Sequence, residues 1–103
     1  YSRIIGQKIA DEYSSRALRA YLDDDFPTAY RYGNMALNII RNHSKALEVQ
    51  KMLFEKSKQL YQSGYILEEY NPEKAVEKWK QILEICAPGS EYYKKAIIKI
   101  GTR

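Results

Sequence analysis

The sequence predicts an all-α protein built from short helical hairpins. Apolar residues recur at helical spacing along nearly the whole chain. The breaks between these segments are only about two to four residues long, which makes consecutive helices antiparallel neighbours. There is no sustained alternation of apolar and polar residues, and no Asn-Gly or Asp-Gly turn that would indicate a β-hairpin. We therefore expect about five helices and no strand.

A pattern of small and apolar residues occurs twice, 46 residues apart. Its members follow the spacing i, i+4, i+7, i+8 and i+11, which lies on one face of an α-helix. The first copy consists of Ala29, Gly33, Ala36, Leu37 and Ile40, and the second of Ala75, Trp79, Ile82, Leu83 and Cys86. Each copy follows a turn that contains a proline. A repeated turn and helix indicates stacked helical hairpins.

Helix one is predicted from about Ser2 to Leu22, with an apolar stripe on one face. The stripe consists of Ile5, Ile9, Tyr13, Ala17, Ala20 and Tyr21. Three aspartates at residues 23–25 end the helix, because their carboxylates oppose the negative end of its dipole. An aspartate here also suits the start of helix two, where Pro27 is tolerated in the first turn. We expect helix two to continue to about Arg41.

Helix three is predicted over about residues 45–69, after a break in which Ser44 is the expected N-cap. Its stripe consists of Ala46, Val49, Leu53, Leu60, Gly64 and Leu67. Lys56 falls on the same face, so we expect the middle turn of this helix to be less buried. The sequence leaves open whether the helix is continuous or kinked there.

Helix four has the strongest local start signal in the chain. Asn71 is an N-cap residue and Pro72 follows it at the first helical position. The helix is predicted to reach about Cys86, before an Ala-Pro-Gly break. Ser90 then caps a helix five whose stripe consists of Tyr93, Ala96, Ile97 and Ile100.

We expect one domain with hairpin one at about residues 2–41 and hairpin two at about 44–87. A C-terminal capping helix follows at about 90–101. The chain opens at Tyr1 inside a helical pattern and without a methionine. It therefore reads as a fragment of a longer protein.

At these residues the chain resembles the tetratricopeptide repeat (TPR) family. The second helix of that repeat opens with Ala, has a large residue four positions on, and tends to end at Pro. Ala75, Trp79 and Pro88 match this pattern, and Ala29 matches it in the first copy.

The family also places a small residue in the first helix of each pair. This residue falls at Ala17 in the first copy, and at Ser63 or Gly64 in the second. The chain departs from the family in its period, which is 46 residues instead of about 34. The surplus lies in helix three. Gly33 also occupies a position where the family prefers a bulky residue.

The resemblance implies a short right-handed solenoid that acts as a non-catalytic protein–protein interaction module, a scaffold or adaptor. Its groove would be lined by helices one and three and would dock a peptide or a partner's helix. Tyrosine suits such a site, since it offers a large rigid ring and a polar tip. The chain has ten tyrosines. The candidate partner-binding residues are Tyr21, Lys58, Tyr61, Tyr65 and Glu68. The alternative is that these tyrosines pack under helix three or against helix five.

Net charge is +4, and the basic excess lies in the last 14 residues. There Lys94, Lys95, Lys99 and Arg103 are opposed only by Glu91. A nucleic-acid-binding helix is one alternative function, but nucleic-acid binders usually spread basic residues along a stripe. Homo-oligomerisation is a second alternative, in which a twofold partner covers an apolar face of helix three or helix five.

No cofactor, metal site or catalytic centre is predicted. Cys86 is the single cysteine and shares a helix face with apolar residues, so we expect a buried small hydrophobe. His43 is the single histidine, whereas zinc sites and catalytic triads need several partners. The aspartates at 23–25 lack the alternation and glycine of a calcium loop. No apolar run approaches a membrane span, so we expect no membrane insertion and a cytoplasmic location.

Overall fold

The computed structural model describes residues 3–102, and these residues form five α-helices. The helices are α1 (Arg3–Leu22), α2 (Phe26–Ile39), α3 (Ser44–Leu67), α4 (Pro72–Ile82) and α5 (Glu91–Gly101). Residues 3–102 contain no strand. The predicted all-α class and helix order are therefore confirmed. Ser2 and Arg103, which the sequence analysis included, lie outside the described residues.

Helix α4 ends earlier than predicted, at Ile82 instead of about Cys86. The backbone N–H groups of Leu83, Glu84 and Ile85 each bond to the carbonyl three residues before, not four. This tighter winding is common at helix ends. It carries Ile85 and Cys86 into the buried interior.

The chain divides into two compact units between Met52 and Leu53. This boundary falls inside α3, which is one continuous helix. The first turns of α3 therefore belong to unit one and the remainder to unit two. Helix α3 is longer than a helix of the TPR repeat, and each unit contains one part of it.

Unit one contains an antiparallel hairpin of α1 and α2. Tyr21 meets Phe26 edge-on near the connecting turn, and Tyr13 stacks on Tyr32 further from it, with ring centroids 5.1 Å and 6.0 Å apart. The start of α3 returns along α2. The core of this unit consists of Ala10, Ala36 and Ala46, with Tyr13, Leu37 and Ile40 packed against it.

Unit two repeats this plan with the rest of α3, α4 and α5. Trp79 of α4 is fully buried, and its indole Nε1–H donates to the carbonyl oxygen of Tyr61 at 3.3 Å. A Cβ on Gly64 would overlap this indole, so the glycine allows the two helices to approach. Helix α5 then runs parallel to α3: Tyr92 lies against Phe54 and Lys99 against Tyr65.

The internal repeat is visible in the buried positions of the two hairpins. Buried residues of the second helices match at 46 residues, as at Ala29 with Ala75 and Ala36 with Ile82. Those of the first helices match at 47, as at Ala17 with Gly64. The matched buried positions of the two helices are therefore one residue closer along the chain in the second hairpin than in the first. The small residue that the sequence placed at Ser63 or Gly64 is Gly64, which is buried, while Ser63 is exposed.

Helix α1 shows that the predicted apolar stripe was shifted by about one residue. Its buried residues are Gly6, Ala10, Ser14 and Ala17. Ile5 and Ile9 are 51% and 37% exposed. The small residues take the inner face because they let the hairpin helices approach closely, and the bulkier isoleucines are left on the flank.

The middle of α3 is more buried than the sequence predicted. Ser57 is fully buried on the inner face, and its hydroxyl donates to the Leu53 carbonyl at 3.0 Å. This bond satisfies the serine inside an apolar face. Lys56 lies beside that face and is half-buried, so it does not interrupt the packing.

Three of the predicted helix starts have the expected cap residue. The carboxylate of Asp25 accepts from the Thr28 N–H, and the side chain of Asn71 accepts from the Lys74 N–H. Ser90 is the N-cap of α5, but its hydroxyl donates to the Ala87 carbonyl and makes no capping bond.

Gly33 has a different packing role from its counterpart Trp79. The side-chain amide of Gln50 fills the space above it, and Nε2 donates to Asn34 Oδ1 at 2.8 Å and to the Tyr30 carbonyl at 3.4 Å. A Cβ on Gly33 would lie 2.9 Å from that Nε2. The flexible side-chain amide of Gln50 thus packs over Gly33.

We expect Gly64→Ala to lower the free energy of unfolding by about 1–3 kcal/mol, the usual cost of overpacking a core. The new methyl would overlap a fully buried indole that a hydrogen bond holds in place. Gly33→Ala is the matched control, since it is also a buried helical glycine but meets only the end of a flexible side chain. Urea unfolding of both variants measures the difference. Equal losses would contradict the packing role given to Gly64.

Candidate functional site

One flank of α3 carries a stripe of functional side chains beside its buried face. The stripe consists of Phe54, Lys58, Tyr61 and Tyr65, which share one side of the helix, and of Glu68 directly after the last helical residue. Each follows directly after a residue of the inner face, so the stripe runs parallel to the core contacts. Helix α5 lies along it.

Aromatic rings from both helices form a continuous row. Tyr92 of α5 lies between Phe54 and Tyr61, with ring centroids 5.3 Å and 5.8 Å away. Tyr61 and Tyr65 are 6.4 Å apart. These separations and tilted geometries are those of favourable aromatic pairs.

Two lysines of α5 lie over this row. The Lys95 ammonium is 5.6 Å from the Tyr61 ring and 5.2 Å from the Tyr92 ring. It also pairs with Glu91 at 3.1 Å, and this hydrogen bond is the main cause that raises the pKa of Lys95. The lysine therefore stays charged at neutral pH above two aromatic faces.

Lys99 is held more tightly than Lys95. Its ammonium donates to both carboxylate oxygens of Glu68, at 3.0 Å and 3.3 Å. It also lies 4.7 Å from the Tyr65 ring and 5.5 Å from the Trp79 ring. Both partners of the ion pair are about three-quarters covered. This contact joins α5 to the end of α3.

We call Tyr61, Tyr65, Glu68, Tyr92, Lys95 and Lys99 the tyrosine–lysine surface. Its rings are ordered by each other and by the lysines, yet Tyr65 remains 60% exposed. The hydroxyl groups of Tyr61, Tyr65 and Tyr92 make no hydrogen bond to another residue between Arg3 and Thr102. The surface therefore offers rigid apolar area and three donor groups.

The structure brings together most residues of the predicted partner site. Tyr61, Tyr65 and Glu68 belong to the tyrosine–lysine surface, and Lys58 is exposed one turn before Tyr61 on the same stripe. Tyr21 lies in unit one against Phe26.

The residues of the alternative basic patch do not act alike. Lys95 and Lys99 pair with carboxylates on the tyrosine–lysine surface, whereas Lys94 is exposed on α5. Arg103 lies outside the described residues. Tyr92 is not among the predicted site residues, although its place next to Tyr93 of the predicted α5 stripe indicated a flank position.

A second polar feature lies in unit one. A cavity of about 540 Å³ opens between the first half of α1 and the start of α3. It is lined by Gln7, Asp11, Ser14, Ser15, Ile40, Asn42, His43, Ser44 and Lys45. A side-chain bond across its wall joins the two helices.

That bond connects His43 and Asp11, with Nε2 of the imidazole 2.6 Å from the carboxylate Oδ1. The other ring nitrogen, Nδ1, accepts from the backbone N–H of Ala46. Because Nδ1 is an acceptor, the proton of the neutral ring lies on Nε2 and is donated to Asp11. The hydrogen bond from His43, and then that from Gln7, lower the pKa of Asp11.

His43, and not Ser44 as predicted, is therefore the residue that caps α3. Ser44 is already the first residue of the helix. The imidazole of His43 accepts a hydrogen bond from the backbone N–H of Ala46, three residues later. This is the spacing of an N-cap bond. A buried histidine thus takes the capping role that the sequence pattern assigned to serine.

The chemistry of this cavity is limited by these bonds. Both imidazole nitrogens are engaged, so His43 has no nitrogen left to accept a proton from a serine in this arrangement. The nearby Ser14 hydroxyl donates to the Asp11 carbonyl. Within residues 3–102 no three His, Cys, Asp or Glu side chains are grouped to hold a metal ion. The His43–Asp11 bond thus fastens α1 to the start of α3.

Comparisons with protein-family models, with curated proteins and with solved structures found no match for this chain. Among the described helices, none combines the length and apolar character required to cross a bilayer.

We expect the His43–Asp11 bond to make the free energy of unfolding depend on pH in the acidic range. A carboxylate with a lowered folded-state pKa contributes stability above its unfolded pKa of about 4, and this contribution disappears as the pH falls through the folded value. Asp11→Asn should therefore lower the urea midpoint at pH 7. The difference from wild type should shrink below about pH 4.

Glu12→Gln is the control for this experiment, because Glu12 is the neighbouring carboxylate and, among residues 3–102, pairs with Arg16 on the helix surface. Its midpoint should stay close to wild type across the range. A wild-type advantage over Asp11→Asn that persists unchanged at pH 3 would rule out the ionised carboxylate as its source.

Proposed function

We propose that this chain is a non-catalytic protein–protein interaction module, in which the tyrosine–lysine surface docks a peptide or a partner's helix. The observation that carries the proposal is Tyr65, a large ring that is 60% exposed and still held in place. Its position is set by Tyr61 on one side and by Lys99 on the other. A rigid exposed aromatic binds a partner at little cost in conformational entropy.

A TPR-like repeat is our proposal for the architecture. It is supported by the two matched hairpins, each followed by a helix that runs parallel to the first helix of its pair. It is also supported by the small residues at the close approaches, Ala17 and Gly64. Modules of this kind present the first helices of their hairpins to ligands, and α3 holds that position in unit two.

Charge balance favours protein docking over nucleic-acid binding at this surface. Lys99 is neutralised by Glu68, and Lys95 is paired with Glu91. A phosphate backbone would need several unpaired cations in a line. The surface instead combines aromatic area with a few positioned charges, which is typical of protein interfaces.

Self-association is a second candidate because α5 exposes two adjacent isoleucines. Ile97 and Ile98 lie on the side of α5 away from the buried Ala96. A second copy could cover this face. Light scattering at increasing concentration tests this, since a dimer would double the mass.

We expect Tyr65→Ala to abolish binding of most peptides selected on the wild-type chain from a random-peptide display library. Loss of one aromatic anchor at an interface typically costs about 2 kcal/mol or more. The melting temperature should fall by only a few degrees, because the side chain is mostly exposed and its removal loses one aromatic contact and one cation–π contact.

The matched control is Tyr70→Ala. Tyr70 belongs to the same unit and is even more exposed, but it lies in the turn after α3 and outside the tyrosine–lysine surface. This variant should retain the selected peptides. If neither variant changes the binding of any selected peptide, or if the library yields none, the proposed function is wrong.

A further inference from the structure

Tyr61 lies between two cations that belong to different helices. Lys58 precedes it by one turn on the same side of α3, and Lys95 of α5 extends over its ring. Residues one turn apart on a helix face are neighbours. One ammonium group therefore lies over the phenol ring of Tyr61, and a second lysine projects from the same helix face one turn away.

The intramolecular partner of Lys95 is weakly held. Glu91 is four residues before it on the same helix, and both side chains of this pair are about half exposed. Exposed pairs with this spacing contribute little to stability. A carboxylate from another molecule can therefore replace Glu91 at small cost, while the rings of Tyr61 and Tyr92 keep Lys95 in position.

Lys58 is exposed and has no ion pair with a described acidic residue. The more covered Lys99–Glu68 pair remains intact and holds α5 in place. Displacement of Glu91 thus leaves Lys58 and Lys95 to supply positive charge beside Tyr61, while the more covered part of the surface is neutral.

We propose that the partner docked at this surface is an acidic peptide segment. One of its carboxylates binds between Lys58 and Lys95 over Tyr61, and its apolar side chains cover Tyr65. The tyrosine hydroxyls supply further hydrogen-bond donors to carboxylate oxygens. This inference rests on the proposed function and specifies the chemistry of the partner.

The test uses the random-peptide library described above, selected on the full chain. Peptides that bind the wild-type chain but not the Tyr65→Ala variant should be enriched in Asp and Glu relative to the unselected library. The strongest is then synthesised twice, once as selected and once with each Asp and Glu replaced by Asn and Gln. We expect the amide version to bind roughly tenfold more weakly.

The variants Lys58→Gln and Lys95→Gln, combined, should weaken binding of the acidic peptide by roughly five- to tenfold. Lys8→Gln combined with Lys45→Gln removes the same charge from exposed positions in unit one, and should change binding less than about twofold. Equal losses in both double variants would show a general charge effect and overturn the site.

The remaining outcomes separate the two proposals. Tyr65-dependent peptides without acidic enrichment would overturn the acidic partner and leave the interaction module in place. A library without Tyr65-dependent peptides would overturn both. A labelled single-stranded oligonucleotide that displaces the peptide, and that itself requires Lys58 and Lys95, would assign the site to nucleic acid instead.

Discussion

The structure depends on close approach between paired helices at positions that lack a large side chain. In unit two, the absence of a side chain at Gly64 makes room for the Trp79 indole, which reaches across to the backbone of α3. In unit one, alanines line the contact between α1 and α2. Helices that pack through small residues bury their backbones well with few large side chains. This leaves many of the tyrosines outside the core and available on the flanks.

The tyrosine–lysine surface is a consequence of that packing. The inner face of α3 is formed by Leu53, Ser57, Leu60 and Gly64. Phe54, Tyr61 and Tyr65, each next to one of these residues, contact α5. The flank therefore becomes a seam between two helices of the same unit. Lys99 closes one end of this seam by bonding to Glu68 and covering aromatic faces. The same contacts that attach α5 thus order the rings that a partner would meet.

Much of the fold could be predicted from sequence because its signals are local. Proline and cap residues marked the helix starts, and the spacing of apolar residues marked most of the inner faces. The α1 stripe was misplaced because Ile5 and Ile9 are more hydrophobic than the alanine and serine that are buried. Hydrophobicity alone does not show that a contact requires small volume. The His43 cap was missed for a different reason, since it depends on Asp11, which is 32 residues away.

The candidate site was predictable only in part. Tyr61 and Tyr65 share a helix face and Glu68 follows directly after that helix, so their proximity follows from periodicity. Their association with Tyr92, Lys95 and Lys99 depends on how α5 packs on α3, which no local pattern specifies. A lysine on a basic helix suggests an unpaired charge. Only the tertiary structure shows that Lys99 forms an ion pair with Glu68 and so attaches α5 to the end of α3.

The continuity of α3 couples the folding of the two units. Its first turns complete the core of one unit and its remaining turns open the next, with no loop between them. Helix formation is cooperative, so melting one part of α3 removes hydrogen-bonded neighbours from the other. A chain whose units were joined by a flexible linker would instead allow one half to open while its neighbour stayed folded.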